Sequence, residues 1–252
     1  MPERIKFIAF GCIHCPLQDP EAVDWVVEAI AREKPDVVVC TGDLHEADAA
    51  SKWPSEYEWD IKDEWESANV FLGQIHKAYP KAKRYLLEGN HDDNFHGINR
   101  IPKKLRRGLD WKEHEPNLQY WERPIAYRNR RSNILRFGQV SFGHGFECGA
   151  ASDEFECLKY SEWFGLHIRS HTHRPLQVTR ARRNARLPLN HWFANVGCLR
   201  EMNPDYMARN DVSQWGQAIC VGETDLIKSP RSRRYWEARV DIFRMAEDVD
   251  WD

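Results

Sequence analysis

At 252 residues, with 42% hydrophobic and 30% charged side chains, the chain has the composition of a soluble globular protein large enough to bury a sizeable core. Its formal charge of −3 gives no global attraction to nucleic acid or to an anionic membrane, so a partner of either kind would have to be held by a local patch. No segment approaches the run of ~20 apolar residues that a membrane span needs, and Met1-Pro2-Glu3-Arg4 lacks the apolar stretch of a signal peptide.

The first apolar run, residues 5–10, reads as a buried strand that ends at Gly11-Cys12-Ile13-His14. Asp19-Pro20-Glu21 then supplies a cap, a proline suited to the first helical position and an early acidic residue. Ala22, Trp25, Val26, Ala29 and Ile30 recur at helical spacing up to Lys34-Pro35. A second apolar run at 36–41 ends at Gly42-Asp43, which completes a βαβ unit with a parallel crossover. Residues 44–59 are polar, aromatic and irregular. A second helix is predicted over 61–79, with Ile61, Trp65, Ala68, Leu72, Ile75 and Tyr79 inward, and Pro80 ends it.

A strand at 85–88 leads into Gly89-Asn90-His91-Asp92-Asp93. Between 96 and 131 the character changes. Lys103, Lys104, Arg106, Arg107, Arg128, Arg130 and Arg131 interleave with Trp111, Tyr120, Trp121 and Tyr127. This stretch reads either as an inserted cap over a site or as a solvated basic surface with aromatics packed beneath it. Strand-like runs return at 134–137, 139–142, 166–169, 192–196, 218–221 and 238–243, a density that suggests a second sheet packed on the first. His144 follows the second of these, and His171-Thr172-His173 follows the third. Residues 180–186, with four arginines, look like an exposed loop or hairpin tip. No repeat or inter-domain linker interrupts the chain, so residues 1–252 are expected to form one domain with a cap-like insertion at about 96–131.

Seven cysteines, an odd count scattered through the chain, argue against a disulfide framework and for reduced thiols, so a cytoplasmic protein is expected. Cys40, Cys198 and Cys220 lie in apolar runs and read as core residues.

Five apolar runs thus end in ligand-type side chains, and in open α/β sheets the crevice beyond the carboxyl ends of the strands is where sites form. In this order the pieces resemble the calcineurin-like metallophosphoesterase superfamily, whose blocks are Asp-x-His, Gly-Asp, Gly-Asn-His-Asp/Glu, His and Gly-His-x-His. The match runs from Phe7 to about Gly197. Ser170 stands where the family has a glycine, and Cys12 stands where it has the first aspartate.

The resemblance implies an α/β sandwich, two mixed sheets flanked by helices, and a phosphoesterase that works through two metal ions. Cleaving a P–O bond needs a nucleophile at neutral pH, cancellation of charge on the phosphoryl oxygens and a proton for the leaving group, and a pair of cations supplies the first two. By resemblance, one metal takes Cys12, His14 and His173, the other takes Asn90, His144 and His171, and Asp43 bridges them. Histidine and thiolate favour zinc or iron, while the oxygen ligands admit manganese. His91 is implied as the acid for the leaving group, with Asp92 orienting it and stabilising its charge. His45 lies close enough to Asp43 in sequence to reach substrate.

Within the superfamily the basic-aromatic insert favours a phosphodiesterase or nuclease acting on nucleic acid or a nucleotide, with a phosphomonoesterase or protein phosphatase as the alternative. Two readings come from other classes. Cys12-Ile13-His14-Cys15-Pro16 after a strand also resembles the redox site of thioredoxin-like oxidoreductases. A non-catalytic metal-binding module, built on a decayed site with Cys12 as its first sign, is the third.

Overall fold

The computed structural model describes residues 3–51, 59–96, 110–127, 133–138, 140–160, 166–184, 187–202, 214–226 and 238–245. Strand β1 (Glu3–Phe10) runs parallel to β2 (Val37–Cys40), with Phe7 opposite Val37 and Phe10 opposite Cys40, and β2 runs parallel to β3 (Lys83–Leu86). On its other side β1 pairs antiparallel with β9 (Ala218–Leu226), and β9 pairs with β10 (Ala238–Arg244), giving the order β10-β9-β1-β2-β3. The second sheet has the order β4-β5-β6-β8-β7, from β4 (Leu135–Phe137), β5 (Val140–Phe142), β6 (Leu166–Arg169), β7 (Leu176–Asn184) and β8 (Leu187–Asn195). The parallel strands β5, β6 and β8 form its centre. The fold is the expected α/β sandwich of two mixed sheets flanked by helices.

The reason lies in β1. Phe7, Ile8, Ala9 and Phe10 are all fully buried, because both faces of this strand are covered. Since successive side chains alternate across a strand, Ile8 and Phe10 face the layer of α1 (Pro20–Glu33) and α2 (Ile61–Ala78), where Val26, Ile30, Phe71 and Leu72 meet them. Phe7 and Ala9 face the second sheet, where Val140, Phe142, Ile168 and Ala194 close the inter-sheet core, with Phe7 edge-on to Phe142 at 5.1 Å. Helix α1 starts where the Asp19 carboxylate accepts from the amides of Glu21 and Ala22. A capping box of Asp60 and Asp63 starts α2.

One departure from the sequence reading has a physical cause. Helix α3 (Ser152–Tyr160), which the hydrophobic pattern did not reveal, is short and strongly charged and lies against β6 and β8. Of the two readings of the arginine-rich stretch the hairpin holds: Arg180, Arg182 and Arg183 lie in the last part of β7, whose backbone pairs antiparallel with β8 up to Asn184 opposite Leu187. Arg186 lies outside the described residues.

The described part of the insert, residues 110–127, packs along α2. Short 3₁₀ turns at Trp111–Glu113 and Pro116–Tyr120 bring His114 flat against Trp65 and Tyr120 flat against His76, and the amide of Asn117 donates to Asn69. Trp111 and Trp121 are buried, so these two rings serve packing and offer no platform to a base. Lys103, Lys104, Arg106, Arg107, Arg128, Arg130 and Arg131 lie outside the described residues. Among the described residues, no helix is long and apolar enough to cross a membrane.

Candidate metal centre

The carboxyl ends of β1, β2, β3, β5 and β6 release their turns toward one point. Past the strand ends the first two turns stay paired: the amide of Cys12 donates to Gly42 O, and those of Ile13 and His14 donate to Asp43 O. Gly42, at φ 111°, and Gly89 allow the β2 and β3 turns to approach, since a Cβ on Gly42 would meet Gly89 N at 2.8 Å and one on Gly89 would meet Asp43 Oδ1 at 2.1 Å. Cys12, His14, Asp43, His171 and His173 all hold φ between 50° and 61°. Left-handed backbone at a non-glycine residue costs on the order of 1 kcal/mol or more, and five such residues at one place are the kind of strain that clusters at functional sites.

The expected ligands come together in two groups. In the first, Cys12, His14 and His173 lie with their ligand atoms within 4.8 Å of one another. His14 Nδ1 meets Glu46 Oε2 at 2.6 Å, so its hydrogen is on that side and Nε2 carries a lone pair. That lone pair faces His173 Nε2 at 3.2 Å. Whichever proton arrangement His173 adopts, its Nδ1 is buried and finds no hydrogen-bond partner among the described residues.

In the second group, His144 Nδ1 donates to Thr41 O at 3.1 Å, which turns the lone pair of Nε2 toward Asn90 Oδ1 at 3.0 Å and His171 Nδ1 at 3.1 Å. Asp43 stands between the groups. Its Oδ2 is 3.2 Å from His144 Nε2 and 3.7 Å from His14 Nε2. With its proton on the Thr41 side, His144 Nε2 faces two acceptors, Asn90 Oδ1 and Asp43 Oδ2, a conflict that a cation resolves, and the His14 lone pair with the incompletely partnered His173 ring offers a second set of donors. The residues present therefore fit a pair of metal ions.

Electrostatics agree with that fit. Burial lowers the basicity of His14 and His173, and burial followed by the proximity of His144 brings His171 down to about 3, so these rings are neutral and able to ligate near neutral pH. Burial alone would raise the Asp43 carboxyl, but His144, His91 and His14 hold it well below the ordinary range. Burial, then Asp43, pushes the Cys12 thiol up, and Cys15 is likewise raised by burial. The two-sheet fold is not that of a thioredoxin-like oxidoreductase, and burial raises both thiols where a redox-active dithiol has a depressed pKa.

His91 projects from the β3 turn with its amide on Asp43 Oδ1 at 2.9 Å and its Nδ1 on Glu46 O at 2.6 Å. Nε2 is thereby the nitrogen left to carry a transferable proton. Burial would disfavour its imidazolium, but Asp43 and Glu46 outweigh burial and raise the pKa. Asp92 is not the group hydrogen-bonded to this ring. Its carboxylate accepts from the amides of Gly89, Leu44 and His45 and from His45 Nδ1 at 2.8 Å, so it braces the turn while its charge still acts on His91.

His45 does not reach toward substrate either. It is buried between Asp92 and Glu115, the latter at 2.5 Å. Burial opposes its charge, yet Glu115 and Asp92 carry its pKa up to about 10. The sequence reading missed Glu46, Thr41 and Cys148, whose Sγ lies 3.0 Å from His171 Nε2. The only signal for Glu46 was its place three residues after Asp43.

The sequence profile of the calcineurin-like phosphoesterases matches residues 5–212. The chain belongs to this family. Members of the family use divalent metals, in keeping with the two groups described above. No curated protein matches the chain. Among solved structures it is similar to Vps29 from Chaetomium thermophilum, at 11% identity and a TM-score of 0.42 over 95% of this chain and 96% of the other. It is also similar to a Vps29 variant from Entamoeba histolytica, at 8% identity and 0.40 over 95% and 98%. A novel phosphatase from Mycoplasma pneumoniae is similar at 13% identity and 0.40 over 97% and 95%.

Proposed function

We propose that this phosphoesterase hydrolyses phosphodiesters at a centre of two transition-metal ions, one held by Cys12, His14 and His173 and the other by Asn90, His144 and His171, with Asp43 shared. The observation that carries the reading is the convergence of two pairs of imidazole nitrogens, His14 with His173 and His144 with His171, on either side of one ionised carboxylate. When bound, the cations supply an activated water and offset the charge on the phosphoryl oxygens. His91 donates the proton to the departing oxygen, with Glu46 O on its Nδ1 holding Nε2 for the transfer. Asp43 and Glu46 keep that ring protonated, and Asp92 holds the backbone of the turn that presents it. Cys12 as thiolate and the four ligating histidines favour zinc or iron over magnesium.

A diester is favoured over a monoester because, among the described residues, the two fully buried guanidiniums beside the centre are already in ion pairs. Arg200 meets Glu46 at 3.4 Å, and Arg169 meets Asp153 at 3.5 Å and Glu156 at 3.4 Å. A monoester dianion asks for more positive charge than a diester monoanion. Seven cysteines, all outside disulfides, support a reducing compartment and hence the cytoplasm. We keep residues 1–252 as one domain.

The test is metal content together with turnover. Chelation should abolish hydrolysis of an aryl phosphodiester, and zinc, iron or manganese should restore it at close to two ions per chain. His91→Ala should slow an alkyl ester by about 100-fold or more, keep its metal, and lose much less on nitrophenyl esters, whose leaving group needs no acid. Full restoration by magnesium alone, or bound metal with no turnover of any phosphoester, would sink the reading, and the latter result would indicate a binding module.

A further inference from the structure

Three half-buried aromatic rings stand at the centre, contributed by segments far apart in the chain. Beside the Cys12 group, the Trp215 indole meets the His173 ring edge to face at 4.3 Å and 74°. Beside the His144 group, Tyr127 meets the His144 ring at 5.6 Å and 79° and is stacked on Phe146 at 4.7 Å and 20°. The Tyr127 hydroxyl donates to Gly145 O at 2.9 Å, which fixes this ring over the loop that delivers His144. Edge-on support of a histidine uses only one side of an aromatic ring. Trp111 of the insert is buried whole, whereas each of these three keeps accessible surface at the centre.

We infer that Trp215 on one half of the centre, and the Tyr127–Phe146 pair on the other, are specificity-determining side chains, and that the ester they select carries a flat aromatic substituent such as a nucleobase. The inference rests on the phosphoesterase reading above and names the substrate of that site. A diester has two substituents leaving phosphorus in different directions, and an aromatic wall beside each half of the centre suits that shape. Stacking on an indole or phenol ring tolerates any base, because every base has a π face. Selection should therefore be for aromatic character and not for one base. Of the insert's aromatics Tyr127 keeps this role, joined by Trp215 and Phe146 from outside the insert, while Trp111 and Trp121 are buried.

The experiment compares two diesters with the same leaving group, thymidine 5′-(p-nitrophenyl phosphate) and methyl p-nitrophenyl phosphate, on the metal-loaded full chain. The expected kcat/KM ratio favours the thymidine ester by about tenfold or more, the worth of one stacked base. Trp215→Leu or Tyr127→Leu should bring the ratio toward one with metal content unchanged. Trp215→Phe and Tyr127→Phe, which keep a ring, should retain most of it. Should Trp215→Leu fail to fold, the Tyr127→Leu ratio decides.

Calorimetry of thymidine 5′-phosphate against methyl phosphate gives a reading free of turnover. Tighter thymidine 5′-phosphate binding that Trp215→Leu abolishes, with neither ester hydrolysed, upholds the aromatic walls and overturns the phosphoesterase reading. Equal kcat/KM for the two esters with equal binding of the two phosphates overturns the aromatic walls and leaves hydrolysis standing.

Discussion

The two halves of the candidate centre share one carboxylate but are supported in different ways. Cys12, His14 and His173 are nearly sealed from solvent, and behind His14 stands a carboxylate, Glu46, itself braced by Arg200. On the other half only His144 is sealed; Asn90 and His171 are half-buried. The outer nitrogens there rest on a carbonyl, Thr41 O, and on the thiol of the exposed Cys148. A carboxylate behind a ligating imidazole fixes its tautomer and raises its basicity, and outer contacts of this kind are worth about 10–100-fold in metal affinity. The comparison teaches that two groups with similar donors need not bind alike. On the two-metal reading proposed above, the Cys12 half should retain its ion and the His144 half should exchange one.

Asp43 is the test of whether there are two halves at all. It reaches His144 and His14 with one oxygen and the His91 amide with the other. Asp43→Ala should empty both halves and cost more than about 100-fold in turnover, beyond the loss expected of any outer contact. Elemental analysis at matched protein concentration checks it. Retention of one full equivalent of metal would show that Asp43 serves one half alone.

Much of this was legible because the chemistry sits at strand ends. Apolar runs locate β1, β2 and β6 to within two residues, and the side chains just past them are the ones that converge. The Asp19-Pro20 start of α1 was readable for the same local reason, since a cap and a proline act on their own turn. What could not be read is long-range. The contact of Glu46 with His14 spans 32 positions and that of Arg200 with Glu46 spans 154. Within the basic-aromatic insert composition does not distinguish a ring that packs on α2, as Tyr120 does on His76, from one that stands at the centre, as Tyr127 does beside His144. Trp215 gave no signal at all, lying between segments with no motif of their own.

Glu46→Ala separates the halves. It removes the acceptor behind His14, so zinc in the Cys12 half should weaken by about 10–100-fold in chelator competition while the second equivalent is little changed. Glu46→Gln, which keeps an acceptor, should recover part of the loss. An equal fall in both equivalents would mean that Glu46 supports the fold of the turns and not one ligand set.

Cys12→Asp should keep two metals but move the preference of one of them toward manganese or magnesium, because a hard oxygen replaces a soft sulfur at the same charge. Cobalt substitution reads the bond directly: thiolate-to-cobalt charge-transfer absorption should appear in the parent protein and vanish in Cys12→Asp. Absorption that persists in the variant would place another thiol at the metal, and Cys148, in contact with His171, is the first to examine.

Cys148→Ala carries the smallest expected effect. Its Sγ is 3.0 Å from His171 Nε2, but the residue is exposed, so water can replace the thiol as the partner of the imidazole at little cost. The exchangeable equivalent should weaken only a few-fold, at or below the lower end of the range for outer contacts, with the Cys12 half untouched. Because the same surface position leaves the thiol open to oxidation, mild peroxide should weaken that equivalent in the parent protein and have no such effect in Cys148→Ala. If peroxide instead releases the tightly held ion in both proteins, the vulnerable sulfur is Cys12, and the half that looks sealed is the one open to oxidant.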